Sequence, residues 1–141
     1  MVTEVIDGVA ATLERTFGSE YEIHRDLPKT TPSNPYFLVL AVSPSMQQTM
    51  GRRYQAVIPL EIRYISMTEE NRNAELQRVG DQLFDALEYI QVNDILLRGT
   101  EMHYELKDDN LHFFLKYTLS LYRPVDNTSP MEQLKLKEGV K

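Results

Sequence analysis

The stretch Leu111-His112-Phe113-Phe114-Leu115-Lys116-Tyr117-Thr118-Leu119-Ser120-Leu121-Tyr122 decides the fold class. Leu111, Phe113, Leu115, Tyr117, Leu119 and Leu121 fall on one face and His112, Phe114, Lys116, Thr118, Ser120 and Tyr122 on the other. A strict two-residue period of this kind is a half-buried strand. Just before it, Lys107 to Asn110 is polar and reads as a hairpin turn, which sets Leu106 opposite Leu111, Tyr104 opposite Phe113 and Met102 opposite Leu115. The apolar sets then share a face, so the most ordered segment of the chain is committed to burial. On this reading Asp108 and Asp109 are turn residues rather than a catalytic carboxylate pair.

Upstream, Ile95, Leu96 and Leu97 also have strand character, but their parity against Met102, Tyr104 and Leu106 would turn Arg98 inward. A bulge at Gly99 would correct this. A helix is expected from Thr3, as N-cap, to Phe17, with Val5, Ile6, Val9, Leu13 and Phe17 on one stripe and Gly18 as its stop. A second helix starts near Ser66 or Thr68, has Glu69 and Glu70 in its first turn, and runs through Leu76, Val79, Leu83 and Leu87 to Ile90. Between them lie a weak alternation at Tyr21 to Arg25, a run apolar on both faces from Tyr36 to Val42 that reads as a central strand, and a strand from Tyr54 to Tyr64. Pro59 has no amide to donate, which predicts an edge position or a bulge for that last strand. The sum is an α+β domain over residues 1–123. It has a mostly antiparallel sheet of about five strands, two helices on one face, and the order αβββαββ. Pro124 to Lys141 is a polar, lysine-bearing C-terminal extension, expected to be ordered by a partner because it cannot fold alone.

Composition narrows the function. With 21 acids against 15 bases the net charge is −6 and the bases are scattered, which argues against a nucleic-acid-gripping surface. The absence of cysteine removes disulfides, thiolate metal sites and cysteine nucleophiles. No leader-like segment opens the chain and no run reaches the roughly 20 apolar residues of a membrane span, so a soluble, unexported protein is expected.

Few residues qualify for chemistry. His103, Glu105 and His112 share the polar face of the hairpin, where they could approach one another closely enough for a metal, but alternating polar residues on a half-exposed hairpin explain them as well. His24 has no sequence-local partner and reads as a surface strand residue. No G-x-S-x-G and no glycine-rich phosphate loop occur, so no catalytic residue, metal or cofactor is assigned. Tyr21, Tyr36, Tyr54, Tyr64, Tyr104 and Tyr117 lack the basic groove that a single-strand stacking platform needs and read as core.

Contact with a partner is a stronger theme. The loop from Ser43 to Arg53 offers Met46, Gln47 and Met50 and then Arg52 and Arg53, adaptable apolar and cationic groups that suit interfaces, although its methionines could equally tuck under the sheet. In the extension, Met131, Leu134 and Leu136 are further candidates.

Several marks together resemble the tail terminator proteins of phages and phage-like elements of Gram-positive bacteria, including those with contractile tails. They are Gly51-Arg52-Arg53-Tyr54 opening a strand that contains Pro59 and ends Ile62-Arg63-Tyr64; Leu87-Glu88-Tyr89-Ile90; Leu97-Arg98-Gly99; and Leu111-His112-Phe113-Phe114. The resemblance covers residues 1–123 and stops before the extension. It implies a structural virion protein at the neck end of the tail, assembled in the host cytoplasm. There it would form a ring, usually a homohexamer, on the tail tube, and would meet the tube protein, the sheath protein where the tail contracts, and the head-side connector, with DNA passing through. A head-to-tail neck adaptor and, more distantly, a small metal-dependent enzyme built on His103, Glu105 and His112 are the alternative readings.

Overall fold

The computed structural model describes residues 1–122 apart from 19, 31 and 33. Its elements are α1 (Val2–Phe17), β1 (Glu22–His24), β2 (Tyr36–Ala41), β3 (Ser45–Met50), β4 (Arg53–Ile65), α2 (Arg72–Ala86), β5 (Tyr89–Val92), β6 (Ile95–Lys107) and β7 (Asn110–Tyr122). The strands form one seven-stranded sheet in the order β1-β2-β4-β7-β6-β5, with β3 laid on β4 beside β2. Both helices cover the same face. α1 touches both β2 and β5, near the two ends of that order, so the sheet curls around it.

The alternation at Leu111 to Tyr117 does what its period demands. Leu111, Phe113 and Tyr117 are fully buried, facing Tyr64, Ile62 and Ile58 of β4 in register. Over them lie Val5, Val9 and Leu13 of α1 and Leu76, Val79 and Leu83 of α2. The expected turn is also present: Leu106 opposes Leu111 and Tyr104 opposes Phe113, with Asp108 and Asp109 at φ 54° and 62°. Positive φ at both central residues is what a two-residue turn of type I′ needs, and short Asp side chains tolerate it. Asn93 and Asp94 repeat the device between β5 and β6, at φ 48° and 67°.

Other expectations are corrected. The sheet has seven strands rather than about five and is mixed, because β1 pairs parallel to β2. The element order is therefore αββββαβββ. Strand β3 escaped the sequence reading because Ser45-Met46-Gln47-Gln48-Thr49-Met50 is exposed at all six positions and has no buried face to create an alternation. Helix α1 begins at Val2, where the Val5 amide donates to the Met1 carbonyl (3.3 Å), so Thr3 lies inside the helix and is not its cap. Helix α2 begins at Arg72, after Asn71 at φ 55°. Ser66 instead accepts from the Thr68 amide in the connection before it. At the other end α2 stops at Ala86, and Ile90 belongs to β5.

Two irregularities in the sheet have identifiable causes. Pro59 does not mark an edge, since β4 is interior, with β2 and β3 on one side and β7 on the other. Its carbonyl accepts from the Val42 amide (2.9 Å), and the donor and acceptor of a strand residue point the same way. The missing N–H of Pro59 therefore aims at Val42, just past the end of β2, so the proline falls where β2 has stopped and β3 has not begun. The bulge in β6 lies between Thr100 and His103, with Glu101 at φ 53°, and not at Gly99; Met102 is consequently not paired with Leu115. Gly99 is required for a different reason. A Cβ there would sit 2.7 Å from the Leu87 carbonyl oxygen, and the Gly99 amide donates to the Glu88 carbonyl (2.7 Å).

Candidate functional site

The sheet topology turns the expected loop from Ser43 to Arg53 into a projecting hairpin. After Ala41, Ser43 takes φ 51° and the chain resumes as β3 along the same side of β4 that β2 occupies further on. Ser45 then opposes Val57 and Met46 opposes Ala56, down to Met50 opposite Arg53 after a register shift at Thr49. Gly51, at φ 57°, makes the turn. The Gln48 side-chain amide donates to the Gly51 carbonyl and the Thr49 hydroxyl to the Arg53 carbonyl (3.1 Å), so the turn is tied by its own side chains.

Met46, Gln47, Met50, Arg52 and Arg53 thus lie on one hairpin. Met50, opposite exposed Arg53, is turned outward and 78% exposed, whereas Met46, opposite buried Ala56, lies on the core face and is 39% exposed. No acidic residue occurs between Ser45 and Arg53, which makes this end of the molecule locally basic in an acidic chain. Among the described residues no strand pairs with the outer side of β3. Met131, Leu134 and Leu136 lie outside the described residues.

On the face away from the helices, the three residues weighed as metal ligands are drawn apart by other partners. His103 stacks on Phe114 with ring centroids 4.9 Å apart. His112, although opposite Glu105 in register, turns to β4 and its Nδ1 meets Glu61 Oε2 at 2.8 Å. Arg63 Nε donates to the same oxygen at 2.6 Å. Burial pushes the Glu61 carboxyl up, but hydrogen bonds and charge from Arg63 and His112 outweigh it and hold the group below the usual carboxylate range. Glu61, missed in the sequence, is the reason the polar face holds an ordered ion cluster. Its signal was a lone acid flanked by Leu60 and Ile62. No group of three potential ligands with metal-binding geometry occurs among the described residues. His24 also has a local partner, Glu22 Oε1 at 3.2 Å, contrary to the expectation that it had none.

Exposed apolar side chains, also missed, lie on the β5–β6 hairpin: Tyr89 and Leu96, 48% and 66% exposed, on one face, and Ile95, 57% exposed, on the other, opposite Val92. No helix among the described residues is long and apolar enough to cross a membrane.

The described residues form a small α+β domain with a curled sheet and a projecting hairpin. Comparison with known proteins gives it a family. The family described as phage tail terminator protein matches residues 4–129, and the chain belongs to that family. The family is one of structural tail proteins, and membership implies a place in the virion tail. Among solved structures, the chain is similar in fold to one titled as an extracellular contractile injection system, PVC sheath/tube terminator in extended state. The TM-score is 0.53 at 15% identity, over 92% of this chain and 62% of that one. The chain therefore spans less than two thirds of that protein's length. A second solved chain aligns over 84% of this chain and 96% of its own at 15% identity, with a TM-score of 0.39 that carries no argument. No curated protein matches in sequence.

Proposed function

We propose that this protein closes the head-proximal end of the tail tube as a ring of identical subunits, six by the resemblance, stops tube growth there and offers the surface on which the head-side connector docks. The observation that carries the reading is the family match across residues 4–129. A tube of stacked identical rings exposes at its growing end the surface that the next ring binds, so it has no intrinsic stop. A terminator must occupy that surface without recreating it. Met50, exposed at the tip of the β3–β4 hairpin beside Arg52 and Arg53, supplies a means of gripping a neighbour, since methionine adapts to a partner surface and arginine suits interfaces.

In this reading the domain ends near residue 123, and residues 124–141 grip an adjacent subunit or, in a contractile tail, the sheath protein; the host is a Gram-positive bacterium. DNA passes through the ring without sequence-specific contact, consistent with the net charge of −6. Deleting the gene and viewing lysates by electron microscopy tests the reading. Overlong tails or tails without heads are expected; complete particles of uniform tail length would overturn it.

A further inference from the structure

A ring on a tube needs a heterologous contact, in which each subunit presents two different patches that meet on neighbours at the same height. Exposed apolar side chains on two hairpins of this molecule satisfy that requirement. Along the last residues of β7, from Tyr117 to Tyr122, one flank pairs with β4 from Ile58 to Arg53, and β3 lies beyond it. On the other flank the last pair with β6 is Gly99 with Tyr117, from which β6 runs back through Arg98 to Ile95 against β5. Both hairpins therefore extend toward the same end of β7 from opposite flanks.

Their chemistry is complementary. The β3–β4 hairpin carries Met50 at its tip beside Arg52 and Arg53, with no acid from Ser45 to Arg53. One face of the β5–β6 hairpin carries Tyr89 and Leu96, with Arg98 opposite Tyr89 and with Glu88 and Asp94 close by, so two acids outnumber one base there. Methionine is an adaptable filler against an aromatic and branched surface, and arginine facing a carboxylate sets the register of the approach. We infer that the β3–β4 hairpin of one copy packs on the β5–β6 hairpin of the next, Met50 against Tyr89 and Leu96, with Arg52 or Arg53 toward Asp94. This contact rests on the ring proposed above and specifies it.

The chain has no cysteine, which makes the test clean. Tails are isolated from cells whose gene carries Met50→Cys together with Leu96→Cys, oxidised mildly, and run on a denaturing gel without reductant. A ladder of covalent oligomers up to the ring number is expected, while either single variant leaves monomers. Dimers from a single variant would mean that like patches meet, and would overturn the inference. A visible ring with no ladder would overturn this contact and leave the terminator reading standing; tails whose ends lack the protein altogether would overturn that reading as well. A charge reversal covers a cysteine variant that fails to assemble. Arg52→Glu is expected to lower tail-bound protein at least fivefold, and adding Asp94→Arg to restore it. A loss that the second change does not restore, or no loss at all, would count against the pairing.

Discussion

Strands β4 and β7 pair along their whole length, yet their two ends behave differently. At one end, Leu60, Ile62 and Tyr64 with Leu111, Phe113 and Leu115 are at most 2% exposed. At the other, Leu119 and Leu121 are only partly buried, Tyr122 is 66% exposed, and the strand alongside β4 is β3, exposed throughout. The alternation of β7 is the same at both ends. What differs is how fully the face is covered: at the second end Tyr54 and Ala56 of β4 are still buried, while Leu119 and Leu121 opposite them are only partly so. Alternation supplies a face that can be buried, whereas burial needs a second layer.

The contrast can be broken from its covered end. Phe113 is fully buried, with its ring 5.2 Å from that of Phe84. Phe113→Ala should cost about 3–5 kcal/mol, the transfer term plus the cavity. Chemical denaturation of the purified domain measures it; a loss below 1 kcal/mol would mean that the helices do not seal this end. Gly99→Ala should cost about 1–3 kcal/mol, because the added methyl meets the backbone carbonyl of Leu87, which cannot swing aside as a side chain can. The same titration reads it, and an unchanged midpoint would show that α2 sits further from β6.

The outer face responds to pH. The Glu61 carboxyl is held below its ordinary range in the folded protein, so its contribution is fully present above about pH 4.5, the ordinary value, and is lost as pH falls through the lowered one. Stability should therefore decline on acidification below that point. Glu61→Gln should flatten this part of the profile and cost about 1–2 kcal/mol at neutral pH through weakened bonds to Arg63 and His112. Parallel pH profiles of the two proteins would sink the idea. The smallest effect belongs to the less covered end: Met50→Ser should change stability by no more than about 0.5 kcal/mol, since the residue is 78% exposed. A larger loss would show that β3 serves the fold itself and is not reserved for a partner.

The β6–β7 hairpin was legible residue by residue, because its turn and its alternation are local and point the same way. The parity conflict at Arg98 likewise announced a bulge. Its place was not legible: Gly99 is held by the end of α2, a neighbour distant along the chain, which leaves the distortion to Thr100 through Met102. Pro59 was misread as an edge signal for a similar reason, since only the topology shows that its missing donor faces the gap between β2 and β3.

The amino-acid sequence by itself determined the α+β class, the two helical stripes, the main hairpin with its turn, and the run of methionines and arginines from Met46 to Arg53. Each of these follows from periodicity or from the conformational preference of a few adjacent residues. Tertiary structure alone decided that this segment is a strand, that Glu61 gathers Arg63 and His112, and that Tyr89, Ile95 and Leu96 are exposed at the same end as Met50. Those facts depend on which strands lie side by side and on how far two helices reach. Pairings between residues far apart in the chain leave no period within it.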